Sequence, residues 1–322
     1  MYSPHPAPVG SERARSQRPA RTPAHDDPLV RAIGNTPLVP LRRVTDSLGV
    51  ACELWAKAEQ LNPTGSVKDR AARGIVLDAL DDGRLGDGRT LLDASSGNTA
   101  VSYAMLGARL GFPVEIVLPA NAHPTRLARV RAFGATVVLT DPTEGTDGAQ
   151  REARRRAAAA PAHYYYPDQY NNPSNPRAHY AGTGPEIWAQ SSGQVTHFVA
   201  GVGTGGTISG AGRFLKERNP GIRVVGVEPP GPIHGIEGLK HMPTALRPST
   251  YDAGIVQETI RVETEDALAM QLRLIRDEGL HVGSSAGAAV WAAVEVGRKA
   301  PGACIVTILP DGGHGPEGGG RP

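Results

Sequence analysis

The sequence predicts an α/β protein built on mostly parallel sheets. Three observations carry that expectation. Short apolar runs of strand length alternate with helix-like segments from residue 28 onward. Glycine-rich loops stand at 95–98, 201–206 and 283–287, next to those runs, where open parallel sheets place their ligands. The length, 322 residues, suits one large domain or two of ordinary size.

In chain order, the strands are expected at 52–59 (CELWAKAE), 90–95, 114–119, 135–140, 196–201, 222–228 and 303–310. Helices are expected at 69–80, 98–110, 124–133, 150–160, 207–218, 265–278 and 286–298. NPSNPRAHYAGTGP (172–185) is dense in Pro, Gly and Asn and reads as a long irregular connection between domains. Residues 1–27 are rich in Pro, Arg and Ala without periodicity, so they bury too little apolar surface to offset their ordering entropy and are expected to be disordered. The glycine-rich end, 312–322, is expected to be flexible.

Hydrophobic residues at 39% and charged residues at 20% fit a soluble globular chain, and a formal charge of +2 gives no support for a nucleic-acid or membrane partner. No apolar run approaches the roughly 20 residues that span a bilayer, and the N-terminus lacks a secretory core. A cytoplasmic protein is expected. Cys52 and Cys304 each lie in an apolar run and read as buried thiols, not as a disulfide or metal pair.

Four stretches carry chemistry. THFVAGVGTGGTISGAG (196–212) places Gly201, Gly203 and Gly206 in the G-x-G-x-x-G spacing, and Glu228 follows about where a dinucleotide motif wants an acid. The same loop would also cradle a single phosphate. QLNPTGSVKDRAA (60–72) follows a strand; its turn residues and Ser66, a candidate N-cap, put Lys68 at a helix N-terminus. There the helix dipole opposes a positive charge, so the lysine either tolerates the position as a surface residue or holds its proton less tightly and suits Schiff-base chemistry. DASSGNTA (93–100) turns from a strand into a helix near Asn98, offering backbone N–H groups, hydroxyls and an amide to a carboxylate or phosphate. HVGSSAGAAV (281–290) opens a small-residue helix with Ser284 and Ser285, which either cap it or point a hydroxyl into a cleft.

Together and in this order, NPTGSVKDR, SSGNT, GVGTGGT and GSSAG resemble the cysteine synthase and cystathionine β-synthase family. IGNTPLVPL (33–41) and HYAGTGPEIW (179–188) resemble it as well, over roughly residues 30–311. The resemblance implies the type II fold of pyridoxal 5'-phosphate (PLP) enzymes, tryptophan synthase β-like. Residues 28–75 with 175–311 would form a large cofactor domain, and 76–174 a small mobile domain that closes over substrate. It implies that Lys68 binds PLP as a Schiff base and then serves as the base at Cα. Gly203, Thr204, Gly205, Gly206 and Thr207 would hold the phosphate, Asn98 would flank the ring oxygen, and Ser285 would face the pyridine nitrogen. Ser95, Ser96, Gly97 and Thr99 would bind the substrate carboxylate, with Gln169 on its other side.

The implied reaction is β-replacement through an α-aminoacrylate, making L-cysteine or S-sulfocysteine from O-acetyl-L-serine or O-phospho-L-serine and sulfide or thiosulfate. The substrates are small molecules and the assembly a homodimer. GIEGLKHMP (235–243) resembles the B-type enzymes, with Lys240 and His241 facing the site mouth and favouring an anionic substrate. The chain ends soon after Asp311, which leaves no room for a regulatory repeat domain, and the N-terminal segment has no cysteine for a haem arm. The alternatives are a cystathionine or 2,3-diaminopropionate synthase and, less favoured, a non-catalytic regulatory paralogue. Ser95 replaces the family's usual Thr but keeps the hydroxyl. GGHGPEGG after LPD departs from the usual Arg-Tyr segment and puts substrate choice and the dimer in question.

Overall fold

Parallel strands need crossover connections of a dozen residues or more, and the alternating segments supply them as helices. The computed structural model describes residues 23–313, apart from 87 and 96. Its strands are β1 (Leu38–Pro40), β2 (Glu53–Ala58), β3 (Thr90–Ala94), β4 (Val114–Pro119), β5 (Thr136–Thr140), β6 (Tyr164–Tyr165), β7 (His197–Gly201), β8 (Arg223–Glu228), β9 (Glu258–Arg261) and β10 (Cys304–Leu309). Every predicted strand is present. The unpredicted ones, β1, β6 and β9, are short and lie at sheet edges, where a few residues leave little periodic signal.

The strands form two sheets. One is six-stranded, in the order β1-β2-β10-β7-β8-β9, parallel except where β1 runs against β2. The other is four-stranded and parallel, in the order β5-β4-β3-β6. Alternation along the central strands feeds a core on each face of the larger sheet. Phe198, Ala200, Val306 and Ile308 point toward the helices Gly184–Gln190 and Gly206–Arg218. Val199, Ile305 and Leu309 point toward Thr264–Glu278 and Ser284–Lys299. The smaller sheet is likewise covered on both faces. The expected domain boundary at 75 falls inside the continuous helix Lys68–Asp81, whose Ala72, Ile75 and Val76 join the core beside the smaller sheet.

Two expectations are corrected. Residues 172–185 are not irregular: Ser174–Ala178, a wide turn of helix at His179–Thr183 and Gly184–Gln190 run end to end. Pro176 sits in the first turn of this run, where a missing N–H removes no helical bond, and Pro185 follows the wide turn. The order is also tertiary. The helix Gly206–Arg218 lies so close that a Cβ on Gly206 would stand 1.9 Å from Asn175 Oδ1, and one on Gly210 would stand 2.0 Å from the Pro176 carbonyl oxygen.

The second correction concerns residues 23–27, which are folded. Asp27 is buried, accepts the N–H groups of Leu29 and Val30, and pairs with Arg109 at 2.8 Å. The rest of that expected tail, and 314–322 of the other, lie outside the described residues. Cys52 and Cys304 are free thiols, the first half-buried and the second buried.

Gly210→Ala tests the close helix contact. Because the opposing atom is backbone, the extra methyl should lower the unfolding free energy by about 1–3 kcal/mol in urea denaturation. Gly231→Ala, which meets nothing within 4 Å, should leave it unchanged.

Candidate active site

The carboxyl ends of β3, β7 and β10 open on one cleft of about 340 Å³. Its lining includes Lys68, Ser95, Gly97, Asn98, Thr99, Gln169, Gly203, Thr204, Gly205, Thr207, Lys240 and Ser285. Residues from four separate loops therefore meet as the sequence predicts. Gly206 stands beside this lining at the start of its helix, and Ser96 lies outside the described residues.

Lys68 is the first residue of the helix Lys68–Asp81. The expected N-cap, Ser66, is displaced by one position. Val67 holds the capping place, and Ser66 Oγ instead accepts the Lys68 N–H at 3.3 Å. The loop before it is tied to the end of β10, since Val67 N–H donates to Pro310 O at 2.7 Å. Burial pushes the Lys68 ammonium down from its ordinary range and Arg126 adds to this, while Asp311 opposes it. Asp69, in the first turn of the same helix, is fully buried. It accepts bonds from the Thr64 hydroxyl, the Thr64 N–H at 2.7 Å and the Ser102 hydroxyl at 2.5 Å.

The glycine loop after β7 turns through Gly205, whose φ of +82° is a left-handed conformation that suits a residue without Cβ. A Cβ on Gly203 would stand 2.2 Å from the Gly238 carbonyl oxygen, so the loop also needs hydrogen there. Thr204 is braced from behind: its hydroxyl accepts from Asn175 Nδ2 at 3.1 Å, and its carbonyl accepts from the Thr250 hydroxyl at 2.6 Å. Thr207 Oγ1 lies 3.3 Å from His179 Nε2, and His179 Nδ1 lies 2.8 Å from Thr183 Oγ1. This concave loop, with hydroxyls and a helix N-terminus, fits one phosphate. Glu228 is buried at the end of β8 and is not in the cleft lining, so the dinucleotide alternative lacks its ribose acid there.

Asn98 opens its helix and donates from Nδ2 to Asp311 Oδ2 at 2.7 Å. Thr99 Oγ1 donates to Gln169 Oε1 at 2.7 Å, both residues being buried. Ser95 Oγ accepts the Gly97 N–H at 3.3 Å. Ser285 is buried in the first turn of Ser284–Lys299, while Ser284 accepts the Glu237 N–H at 3.2 Å. Lys240 Nζ stands 5.0 Å from the Tyr170 ring centre; burial lowers its proton affinity, and Asp147 partly offsets this. His241, expected beside it at the mouth, is bonded to Thr244 at 2.8 Å and is not in the lining.

The sequence reading missed Arg126 and Asp311. Arg126 reaches the cleft from the helix Pro124–Ala132 and pairs with Glu237 at 2.5 Å. Its helix holds Arg129 and Arg131 too, so nothing in the pattern singled it out. Asp311 had a signal, an acid just past a strand end. Among the described residues no group of three or more His, Cys, Asp or Glu is placed to hold a metal.

The residues present fit PLP: a half-buried lysine of reduced basicity, a concave loop for one phosphate and a buried hydroxyl share one cleft. Comparison with known proteins agrees. The family model for pyridoxal-phosphate dependent enzymes matches residues 29–311. The chain is 48% identical to a cysteine synthase of Aquifex aeolicus, covering 90% of this chain and 92% of that one. It is 40% identical to cysteine synthase B of Salmonella typhimurium, covering 88% and 92%. A crystal structure of a cysteine synthase from Entamoeba histolytica superposes with a TM-score of 0.85 at 31% identity, covering 98% of this chain and 96% of that one.

His179 gives a pH test. Burial, with Arg70 and Lys68 nearby, pushes its pKa down from 6.5 to about 3. The folded protein therefore keeps it neutral while the unfolded chain protonates it. The stability is complete above pH 6.5 and is lost toward pH 3, at about 1.4 kcal/mol per pH unit. Between pH 6 and pH 4 the native protein should lose about 2–3 kcal/mol more than His179→Gln, measured by denaturant unfolding.

With the fold, the converging loops and these relatives in agreement, the chain belongs to the cysteine synthase and cystathionine β-synthase family of pyridoxal-phosphate dependent enzymes.

Proposed function

We propose that the protein is a PLP-dependent cysteine synthase that replaces the β-substituent of O-acetyl-L-serine or O-phospho-L-serine with sulfide or thiosulfate. The observation that carries this reading is the convergence of Lys68, the 203–207 loop, Ser285 and the 95–99 loop on one cleft.

Gly203, Thr204, Gly205, Gly206 and Thr207 hold the cofactor phosphate through backbone N–H groups and hydroxyls. When bound, PLP supplies an electron sink next to Cα. Lys68, kept at low basicity by burial, takes the Cα proton on Nζ and returns it after the new bond forms. Ser285 would meet the cofactor's pyridine nitrogen with a neutral hydroxyl, a weaker partner than a carboxylate, which favours prompt loss of the β-group. Asp311 fixes the amide of Asn98, which would flank the cofactor ring. Ser95, Gly97 and Thr99 bind the substrate carboxylate. Gln169, whose Oε1 takes the Thr99 hydroxyl and whose Nε2 donates to the Ala94 carbonyl at 3.5 Å, would offer its second amide N–H to the same anion. Motion of the smaller sheet's half over the substrate would exclude water. Lys240 stands in the lining as a cation for an anionic donor or leaving group. The protein acts as a homodimer, a reading that rests on the resemblance and that analytical ultracentrifugation checks.

The visible spectrum tests the function. The purified protein should be yellow, and O-acetyl-L-serine alone should shift the band; sulfide or thiosulfate should reverse the shift. A colourless protein that cannot be reconstituted with PLP would overturn the proposal. Lys68→Ala should abolish turnover. Lys240→Ala should slow the thiosulfate reaction about tenfold more than the sulfide reaction, roughly 1.4 kcal/mol of selective stabilisation. Equal slowing would remove Lys240 from donor choice.

A further inference from the structure

Arg126 is a cation of the cleft lining that the reaction above does not use. It stands in the first turn of the helix Pro124–Ala132. Leu127 and Val130 of that helix pack into the core beside the smaller sheet, and Arg129 Nη2 donates to the Thr64 carbonyl at 2.6 Å, in the loop before Lys68. The helix is thus held on the rim from two sides. The Arg126 side chain, 13% exposed, lies close enough to Lys68 to oppose its protonation. A guanidinium grips best along the edge that carries Nε–H and Nη2–H, a fork that matches two oxygens of one anion. Arg70 shows that grip completed: its Nε and Nη2 take both oxygens of Glu59 at 2.7 and 2.8 Å. At Arg126 the same edge is half used. Nη2 donates to Glu237 Oε2 at 2.5 Å, while Nε is buried without a hydrogen-bond partner. A charged donor buried in this state favours an anion that can complete the fork.

We propose that Arg126 is a specificity-determining residue: its Nε–Nη2 edge receives the tetrahedral oxyanion of a reactant, and Glu237 is the resident counter-ion that this anion displaces. This deepens the cysteine synthase reading and rests on it. Two reactants of that reading carry such a group, thiosulfate as donor and O-phospho-L-serine as amino-acid substrate; sulfide and O-acetyl-L-serine do not. Glu237 is placed to give way. Its side chain is 55% exposed, so water takes over the carboxylate once it leaves. Its backbone stays fixed, because the Glu237 N–H donates to Ser284 Oγ at 3.2 Å and the neighbouring Ile236 and Leu239 are buried in the core. Only a side chain has to move. Lys240 adds a positive field from its place 5.0 Å from the Tyr170 ring centre, but an ammonium has no fork. The two members of the pair therefore act in opposite senses. Loss of Arg126 removes the site, and loss of the Glu237 charge leaves it open.

The test uses the holoenzyme, whose phosphate loop is filled, with inorganic sulfate as the probe. Sulfate should inhibit competitively against the anionic reactant. Arg126→Gln should raise its inhibition constant about tenfold, as expected for one charge-assisted fork, and Glu237→Gln should lower it about threefold. Two ratios of kcat/KM assign the site to its reactant: thiosulfate over sulfide, both with O-acetyl-L-serine, and O-phospho-L-serine over O-acetyl-L-serine, both with sulfide. One of them should fall about tenfold in Arg126→Gln and rise in Glu237→Gln. If Arg126→Gln fails to fold, Arg126→Lys, which keeps the charge without the fork, takes its place and should lower the same ratio. Both ratios unchanged in the Gln or Lys variant would overturn the proposal. So would a Glu237→Gln variant impaired in the same sense as Arg126→Gln, the sign of a structural clamp. A native protein that joins O-acetyl-L-serine and sulfide, uses neither anionic reactant and is not inhibited by sulfate would overturn the Arg126 proposal and leave the cysteine synthase reading standing. A native protein inactive with every pair would refute that reading, and the proposal with it.

Discussion

Arg70, two residues beyond Lys68, is enclosed by carboxylates. Its Nε and Nη2 donate to Glu59 at 2.7 and 2.8 Å, and its Nη1 and Nη2 donate to Glu186 at 2.7 Å. Lys57 Nζ, fully buried, closes the cluster on Glu186 at 2.6 Å and also donates to the Thr36 carbonyl and to Gln190. Two cations and two anions balance. Glu59 is completed by the Thr36 hydroxyl and Asn62 Nδ2, each at 2.7 Å, and the two cations hold Glu186 down to about 2. A buried ion cluster of this kind gains little over a hydrophobic one when whole, and costs several kcal/mol when one member is lost. What it supplies is registry. It fixes β2, the first turn carrying Lys68 and the helix Gly184–Gln190 in one arrangement, so a long flexible lysine starts from a defined point.

The second constraint is the absence of side chains. Gly203, Gly206 and Gly210 let the loop after β7 and its helix approach Gly238, Asn175 and Pro176 to distances that no other residue allows. That contact presses the segment 174–190 against the phosphate loop. Asn175 and His179 then reach the hydroxyls of Thr204 and Thr207. One set of glycines thus shapes the loop and brings in its support.

The central strands and long helices were legible because burial on both faces imposes unbroken apolar runs, as in β4 and β10. The meeting of Lys68, Asn98, Gly203 and Ser285 was legible because each belongs to a local turn-to-helix motif. What escaped depends on contacts distant in sequence. The segment 172–185 looked like a loop because its prolines and glycines were weighed locally, whereas tertiary packing makes it helical. Asp69 stands in a first helical turn; Thr64 and Ser102, the latter 33 residues away, make it an interior acid, which no local pattern shows. Arg126 gave no sign, since its place comes from contact with Glu237, 111 residues away.

The cleft takes its walls from separate pieces of architecture. The phosphate loop and Ser285 belong to elements of the six-stranded sheet, the 95–99 loop and Gln169 to the ends of the four-stranded one, and Lys240 to a connection outside both. Under the proposed function, cofactor retention, recognition of an amino acid and choice of the third reactant therefore fall to different elements. Within the 235–243 connection Ile236 and Leu239 are core residues, whereas Lys240 lines the cleft, so a change at Lys240 alters the lining while those two keep the connection on its sheet. A scaffold divided in this way can acquire new substrates by altering one exposed loop while its chemistry stays intact.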